Sequence, residues 1–548
     1  DTQRVVQVPA PRAAAVPALA PRRAGSVQMP SDYSPVTGTQ SGCRAGRNSA
    51  GFTPNQYLTA YGYSPLQSAG LGGQGERVAL IEIDRFKRSD LSTFAHCFGL
   101  HVPPISVYPL GPASAIPFGG ESTLDVEVLD AAAPNLKSIE VFESNGTAEQ
   151  VINSFVAPLV APGAKAQVIS ASLGLCEPSM RQDFGLAGIR TTERGLDLAA
   201  ATGITVLAAS GDNGSAECQD GQGNPIAELA ANYPASSSWV TSVGGTNLWL
   251  NSANQITQQS VWNDTTDQLG AGGGGFSGLF GRPSYQNGVV TQNMRAVPDV
   301  SMLADVMPGY AIFCTVPGGT GCGGWSTVGG TSAATPLLAG GIALVNQDLH
   351  NHQRERVGFL NPLLYQLGTG SAAAQAFYDV TQFGNDVGPY IAGGNHQPLG
   401  CCTAGPGFVE ASGWGSVNLA QLDAMALQIL PQFGDVSLAL LHHQSPVKRH
   451  KLSLRLKCMG GASACTVFAF GFVDIRGGHS FVVRSQDYLL SAGSAKTMSI
   501  RFTPRQMQWL RAGIRKQRSI LVEIFGAALD ARGQVADVTS GQVLDVRG

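Results

Sequence analysis

Long apolar runs are missing from this chain. None of its 548 residues belongs to a stretch of about 18 consecutive apolar residues, the length that a membrane-spanning helix needs. Charged residues are also scarce, at 13% of the total, roughly half the share in an average soluble protein. Glycine is abundant instead, with 69 residues. This composition argues against a transmembrane segment and is typical of an enzyme with many tight turns.

The cysteines lack the spacing of a metal site. None of them forms a CxxC…CxxC or CxxC…HxxxH pattern, and their number is even. An even set without metal spacing predicts disulfides formed in an oxidising compartment, although free buried thiols in a cytosolic enzyme remain an alternative. The first residue is Asp1, which predicts that a targeting segment has been removed. Secretion is predicted from the cysteines, not from this residue. The cysteines are Cys43, Cys97, Cys176, Cys218, Cys314, Cys322, Cys401, Cys402, Cys458 and Cys465.

The formal net charge of −3 hides an uneven distribution. Residues 435–548 contain 16 Lys and Arg against 7 Asp and Glu, which leaves −12 for residues 1–434. This contrast predicts two different domains. The acidic main body argues against nucleic acid as a ligand. The basic C-terminal part suggests the hypothesis of a contact with an anionic polymer or cell surface. The simpler interpretation is a basic face that is only solvated.

Composition and hydrophobic pattern divide the chain into three regions. Residues 1–50 are rich in proline and alanine and are interpreted as a propeptide remnant or linker. In residues 51–430, apolar runs such as Arg77–Ile83 alternate with helical stretches such as Asp90–Cys97, which predicts an α/β domain with a doubly wound parallel sheet. In such sheets, functional sites form at the carboxyl ends of the strands. Residues 431–548 contain short alternating runs, which predict an all-β sandwich.

Ser332 is the first candidate for chemistry. It lies in the segment GGTSAATPLLAGGIALVNQ, where small residues precede an apolar helix. A serine at a helix N-terminus is exposed to backbone N–H groups that favour developing negative charge. The simpler interpretation is that the serine only caps the helix. The long run of small residues followed by an apolar helix argues against it.

A serine nucleophile needs a base, and no histidine has a suitable context. The HGT turn of a subtilisin-type histidine does not occur. Glu121 and Asp125 are better candidates, because their i, i+4 spacing places both carboxyl groups on one helical face. Two close carboxyl groups share a proton, so that one of them can act as a base in acid. A solvated acidic helix face is the alternative.

Asp212 is the fourth candidate. It follows the apolar run ITVLAAS at its carboxyl end, in the sequence SGDNG. A turn-forming aspartate would explain it equally well.

Together these residues resemble the sedolisin family, the serine-carboxyl peptidases with a subtilisin-like fold. The family's serine motif matches Gly330 to Pro336, its Glu and Asp match Glu121 and Asp125, and its oxyanion aspartate matches Asp212. The order of these residues along the chain agrees as well. The resemblance extends over about Phe52 to Leu427. Further matching segments are Ser172–Glu177, Val261–Asp264, Gly272–Gly275 and Val297–Ser301.

The resemblance implies a mechanism and partners. Ser332 attacks the scissile carbonyl, Glu121 accepts its proton, Asp125 holds Glu121, and protonated Asp212 donates a hydrogen bond to the oxyanion. A protein or peptide substrate is expected to lie beside Ser172, Leu173 and Gly174 as an extended strand. The family also implies a disulfide between Cys176 and Cys218, and a large inhibitory prodomain, of which residues 1–50 could be only a part. Leu173 stands where some relatives have a tryptophan.

Calcium is the cofactor that the resemblance implies. The family's ligands match Asp379, Val380, Gly405 and Gly407, but Val409 stands where the family has a second aspartate. Calcium prefers oxygen ligands, so this replacement weakens or abolishes the site. Glu410 is the neighbouring carboxylate that would have to compensate.

The function predicted from these features is a secreted, acid-acting serine-carboxyl endopeptidase. A tripeptidyl-peptidase of the same family is the alternative within the class. A catalytically silent binding protein on the same scaffold is the alternative outside it, and the four intact catalytic positions argue against that.

Overall fold

The computed structural model describes residues 36–545 apart from a few short segments. The segments that it leaves out within this range are 221–224, 268, 317–321, 392–396, 431–435, 441–445, 459–463, 476–479, 492, 517–519, 530–534 and 539–541. The chain divides into two compact units. Of the described residues, one unit comprises those up to 200 together with 204–348 and 359–428, and the other comprises 201–203, 349–358 and those from 429 onward.

The first unit is built on a ten-stranded sheet with the order β15-β16-β12-β8-β6-β4-β1-β3-β2, in which β9 also pairs with β8. The pairs from β16 through β12 to β2 are parallel, and β15 and β9 are antiparallel to their neighbours. The predicted doubly wound α/β sheet is therefore confirmed. The strands of this unit are β1 Arg77–Glu82, β2 Ile105–Pro109, β3 Ser138–Glu143, β4 Val168–Ala171, β5 Leu175–Cys176, β6 Thr205–Ala209, β7 Asn232–Tyr233, β8 Thr241–Leu250, β9 Ile256–Val261, β10 Gly275–Gly281, β11 Met294–Val297, β12 Val300–Leu303, β13 Tyr310–Cys314, β14 Gly324–Val328, β15 Phe377–Tyr378 and β16 Ser416–Val417.

Helices cover the sheet. Strands β3, β4 and β6 are buried along their whole length, as expected of parallel strands with both faces covered. The helices are α1 Arg44–Arg47, α2 Pro54–Ala60, α3 Tyr63–Ser68, α4 Arg88–Phe98, α5 Glu121–Ala132, α6 Ala148–Ser154, α7 Ala157–Val160, α8 Glu177–Ala201, α9 Thr331–Asn351, α10 Asn361–Gly368, α11 Ala373–Ala376 and α12 Leu419–Ile429.

Most of the predicted N-terminal linker, residues 1–35, lies outside the described residues. The remainder is structured. Residues Arg44–Arg47 form α1, and a disulfide joins Cys43 to Cys97 in α4. The hydroxyl of Thr37 accepts a hydrogen bond of 2.7 Å from the backbone of Leu250. Residues 36–50 therefore pack against the α/β unit, which the lack of a periodic pattern did not predict.

The second unit has two antiparallel sheets around a common core of residues such as Leu454, Leu456, Val467 and Ile524. One sheet has the order β17-β18-β22, and the other has the order β20-β19-β23-β24, with β21 on β19 and β25 on β23. The elements are β17 Val436–Leu440, α13 Pro446–Arg449, β18 Lys451–Cys458, β19 Ala464–Ile475, β20 Ser480–Arg484, β21 Tyr488–Ser491, β22 Ala495–Arg501, α14 Pro504–Arg515, β23 Ile520–Leu529, β24 Val535–Val538 and β25 Gln542–Asp545.

Helix α14 corrects the expectation that this region is entirely β. Thr503 and Gln506 form a capping box at its start, and Met507 and Leu510 are buried one helical turn apart. Both features are visible in the sequence TPRQMQWL and favour a helix over a strand.

Candidate active site

Glu121 and Asp125 lie in the first turns of α5. Glu121 is the first residue of the helix and Asp125 follows one turn later. Both are buried, with 4% and 0% of their surface exposed. The alternative of a solvated acidic helix face is therefore wrong for this pair.

Asp84 fixes the start of this helix. Its carboxyl group accepts hydrogen bonds from the backbone N–H groups of Glu121, at 3.2 Å, and Ser122, at 3.0 Å. The Ser122 hydroxyl donates a further bond of 2.6 Å to the same group. The residue before the helix is Gly120, which has no side chain to cap it. Asp84 thus performs the capping role from another segment and positions Glu121.

Ser332 is the second residue of α9 and is also buried. Its hydroxyl donates a hydrogen bond of 3.1 Å to the backbone carbonyl of Ser172. The same hydroxyl interacts with the Glu121 carboxyl group, and this contact lowers the pKa of Glu121. The structure therefore brings the predicted nucleophile and the predicted base together.

Ser172 connects Asp125 with Ser332. The Ser172 hydroxyl lies 2.6 Å from Oδ2 of Asp125 and 3.0 Å from the backbone carbonyl of Ser332. Since Ser172 directly follows β4, this link fixes the carboxyl end of that strand against the start of α9. The position was predicted as a substrate contact, and its bond to Asp125 was not foreseen.

Burial raises the pKa of both carboxyl groups. The pKa of Glu121 lies well above its ordinary value, because of burial first and the neighbouring Asp125 second. Burial raises the pKa of Asp125 to about 8, although the hydrogen bond from Ser172 lowers it. A pair of this kind holds a proton over most of the acid range.

Asp212 lies beyond the carboxyl end of β6 and faces the start of α9. Its Oδ1 accepts two hydrogen bonds of 2.8 Å from Thr331, one from the backbone and one from the hydroxyl. Its Oδ2 is buried and has no hydrogen-bond partner among the described residues. Burial raises the pKa of Asp212 to about 6, against the two bonds from Thr331. One oxygen is thus held in place while the other is left to carry a proton.

Gly330 is required beside Asp212. Its φ is +103°, and a Cβ atom at this position would lie 2.6 Å from Oδ2 of Asp212. Both the backbone conformation and the space exclude a side chain. The glycine of the GTSA motif therefore lets Asp212 approach the helix that carries Ser332.

Glu82 is a residue of this region that sequence reasoning missed. It is the last residue of β1 and is fully buried. Neither of its carboxyl oxygens has a hydrogen-bond partner of standard geometry among the described residues. Burial and then the nearby Asp125 raise its pKa well above the ordinary value. The signal was an acidic residue ending an apolar strand in VALIEID, at the edge where sites form. Asp84, two residues later, carried the same signal.

The predicted substrate contacts are placed unevenly. The side chains of Ser172 and Leu173 are buried, whereas Gly174 is partly exposed. The predicted disulfide between Cys176 and Cys218 is present and confirms that expectation. It ties the segment after Gly174 to the loop that follows Asp212.

The loop predicted to hold calcium has a poor set of donors. Oδ2 of Asp379 accepts a hydrogen bond of 3.1 Å from the backbone N–H of Gly407. The Val409 side chain packs in an apolar cluster that contains Val380 and Cys402. An apolar side chain thus occupies the position of the second carboxylate. One carboxylate with backbone carbonyls does not fit the six to eight oxygen ligands that calcium takes.

Described residues contain no group of three or more His, Cys, Asp or Glu side chains arranged to hold a metal ion. In the same part of the chain, no helix is both long and apolar enough to cross a membrane.

Comparison with known proteins gives a consistent set of relatives. The Subtilase family model matches residues 131–360. Kumamolisin of Bacillus sp. (strain MN-32) is 34% identical over 390 residues, covering 68% of this chain and 63% of kumamolisin. Tripeptidyl-peptidase 1 of Homo sapiens is 31% identical over 401 residues, covering 68% of this chain and 64% of that protein. This chain therefore spans less than two thirds of the length of either relative.

A solved structure also matches. Pseudomonas sedolisin, a serine-carboxyl proteinase complexed with two molecules of pseudo-iodotyrostatin, superposes with a TM-score of 0.58 at 26% identity. The match covers 69% of this chain and 98% of that one.

Proposed function

This chain belongs to the sedolisin family of serine-carboxyl peptidases, and from that membership we propose that it is an acid-acting endopeptidase. The observation that carries the proposal is the contact network around Ser332. Its hydroxyl donates to the Ser172 carbonyl and lies close enough to the Glu121 carboxyl group to lower the pKa of that group, and Ser172 in turn binds Asp125.

The proposed reaction begins with attack of the Ser332 hydroxyl oxygen on the carbonyl carbon of the scissile bond. Glu121 takes the hydroxyl proton, and the Ser172 bond to Asp125 keeps the acid pair in place. The Oδ2 atom of Asp212, when protonated, donates a hydrogen bond to the oxyanion. Glu121 then returns the proton to the leaving amine, and an acyl-enzyme remains on Ser332. Water, activated by Glu121, releases the acid product.

The substrate is proposed to lie as an extended strand between two backbone segments. One is the segment from Ser172 to Gly174, and the other is β10 with its preceding glycines. Because Ser172 and Leu173 have buried side chains, recognition on that side is expected to use backbone groups. Side-chain preference would then come from other walls of the groove.

A tripeptidyl-peptidase is the second candidate, and the similarity to tripeptidyl-peptidase 1 favours it. The two activities differ in their products. A long peptide with a blocked N-terminus is cut internally by an endopeptidase and is resistant to a tripeptidyl-peptidase. Fragments of varied length from the blocked peptide support the proposal, whereas stepwise release of tripeptides from the unblocked form alone overturns it.

The direct test is Ser332→Ala. We expect this variant to lose cleavage of casein at about pH 4, where carboxyl groups begin to protonate. Ser92→Ala is the matched control, since Ser92 is an exposed serine of α4 whose hydroxyl bonds to the Arg88 carbonyl of the same helix. Unchanged cleavage by the Ser332 variant refutes the assignment, whereas absence of cleavage by the parent itself favours the silent binding protein.

Secretion and synthesis with an inhibitory prodomain complete the proposal. All ten cysteines are paired, which supports an oxidising extracellular destination. The prodomain follows from family membership, and its binding partner would be the groove beside Ser332.

A further inference from the structure

Charges of opposite sign are segregated in the second unit. Its acid-free stretches, residues 436–473 and 488–522, hold twelve of the 16 cations found after residue 434. Strands β18 and β22 lie wholly within these stretches, whereas acidic residues such as Asp474, Glu523 and Asp537 belong to the other sheet. The cations of β18 and β22 therefore belong to a sheet whose strands β18 and β22 contain no acidic residue.

The β18–β22 pair presents a regular outer face. In β18, Leu452, Leu454 and Leu456 point into the core, and the residues between them point outward. In β22, Met498 and Ile500 are likewise buried. The outward residues define what is here called the basic face: Lys451, Ser453, Arg455 and Lys457 of β18, and Thr497, Ser499 and Arg501 of β22.

The register places hydroxyl groups between the cations. Lys451 is opposite Arg501, Ser453 is opposite Ser499, and Arg455 is opposite Thr497. Outward side chains along one strand are about 7 Å apart, and adjacent strands are about 4.8 Å apart. The basic face is thus an array of four cations and three hydroxyl groups with no acidic residue. Within the described part of the chain, none of the four cations forms an ion pair.

We propose that the basic face binds a polysaccharide that carries sulfate or phosphate esters. Arginine and lysine pair with the ester oxygens, and the interleaved hydroxyl groups hydrogen-bond to ester or sugar oxygens. Aromatic side chains, on which nucleic-acid bases stack, are absent from the basic face as defined. It also has no large apolar residue of the kind that enters a membrane interface. The array therefore fits a solvated polyanion better than a single-stranded nucleic acid or a lipid surface.

The choice of sulfate or phosphate esters, rather than carboxylates, rests on the acidic conditions in which the proposed peptidase acts. No other step of the inference depends on that function. Near pH 4 the carboxyl groups of a uronic acid are partly protonated, so they offer less charge to a cationic face than at neutral pH. Sulfate and phosphate esters keep a negative charge there. Binding to them would hold the enzyme at a surface under the conditions in which it acts.

The test measures binding of the full chain to dextran sulfate and to uncharged dextran of the same length at pH 4, by calorimetry without peptide substrate. We expect dextran sulfate to bind and dextran not to bind. A variant in which Lys451, Arg455, Lys457 and Arg501 are all replaced by glutamine should bind dextran sulfate about tenfold or more weakly, because each exposed ion pair contributes modestly. Failure of this test leaves the peptidase proposal untouched, since no cleavage is measured.

A charge-matched control separates the basic face from net charge. Four exposed cations of the first unit, Lys137, Arg181, Arg190 and Arg194, are replaced by glutamine together. This control should bind within about twofold of the parent, because binding to a local array depends little on charges that are not part of it. Equal weakening in both variants overturns the proposal in favour of general attraction. Tighter binding to vesicles containing phosphatidylglycerol, or to single-stranded DNA, than to dextran sulfate also overturns it.

A footprint on the unaltered protein covers the case in which the glutamine variant folds poorly. Dextran sulfate should protect Lys451 and Lys457 from acylation at neutral pH, and Lys137 should react equally with and without the polymer. If dextran sulfate leaves the reactivity of Lys451 and Lys457 unchanged, the proposal is contradicted.

Discussion

At the scale of single residues, the two carboxyl oxygens of Asp212 have different roles. Oδ1 is fixed by Thr331, and Oδ2 has no partner among the described residues. A carboxyl group donates a hydrogen bond only while it is protonated. Because burial raises the pKa of Asp212 to about 6, this group is a donor in acid and loses the ability as the pH passes that value.

Replacing Asp212 by Asn gives a donor that does not titrate. At pH 4 we expect Asp212→Ala to lower kcat by about 10²–10³, the usual cost of one oxyanion donor, and Asp212→Asn to lower it less. The ratio of the Asn variant's kcat to that of the parent should rise between pH 4 and pH 7, because only the parent loses its donor. Titration of the Glu121–Asp125 pair affects both enzymes and largely cancels. A ratio that stays constant over this range contradicts a protonated Asp212 as the donor.

At the scale of elements, the start of α5 depends on a side chain outside the helix. Asp84 accepts the N–H groups of Glu121 and Ser122 and the Ser122 hydroxyl. Its removal leaves buried donors unpaired. We expect Asp84→Ala to lower the free energy of unfolding by about 1–2 kcal/mol, the usual range for a lost cap, and to lower kcat because Glu121 is displaced. Urea unfolding and peptide kinetics measure the two effects.

Asp84→Asn is the conservative control for the cap. Its amide oxygen can still accept from Ser122, so stability and kcat should lie nearer those of the parent. An alanine variant that matches the parent in both measurements would show that α5 holds its position without Asp84.

The loop that contains Asp379 and Val409 makes a second prediction at this scale. Since the Val409 side chain supplies no carboxylate, addition of calcium or EDTA should not shift the unfolding midpoint of the parent protein. Val409→Asp should make the midpoint rise with calcium, because a second carboxylate joins Asp379. Calorimetry with and without calcium measures this, and Val409→Asn separates a new charge from a new shape. A parent whose midpoint falls in EDTA would contradict the argument.

The elements around the site were easier to predict than the contacts between them. Apolar runs indicated β1, β4 and β6, and the i, i+4 spacing placed Glu121 and Asp125 on one helix. Neither pattern specifies that Ser172 bonds to Asp125 or that Asp84 caps α5. These contacts join residues 47 and 37–38 positions apart, and periodicity reports only on neighbours within one element. Helix α14 was missed for a different reason, because alternating strands on both sides of it set the expectation for the whole region.

At the scale of the whole molecule, many carboxyl groups of the first unit are buried. Burial raises the pKa of each of them above its ordinary value, and in an unfolded chain they would titrate near pH 4. A group whose pKa is higher in the folded state stabilises the fold below its unfolded pKa, and this contribution is lost as the pH rises through the folded value. Stability should therefore be greatest in acid and fall between about pH 4 and pH 8. The groups are Glu82, Glu121, Asp125, Glu127, Asp130, Glu193, Asp212 and Glu217.

A substitution at Asp130 measures this pH dependence of stability separately from catalysis. It lies in α5 with 1% of its surface exposed, and burial alone raises its pKa to about 8. In an Ser332→Ala background, which prevents self-digestion, Asp130→Asn should leave the unfolding midpoint near that of its parent at pH 4 and raise it by several degrees at pH 8. The reason is that aspartate must ionise inside the fold at the higher pH, whereas asparagine stays neutral. Glu149→Gln, at an exposed position of α6, should change neither midpoint. If Asp130→Asn shifts the midpoint equally at both pH values, the loss of stability toward neutral pH does not arise from this buried carboxyl group.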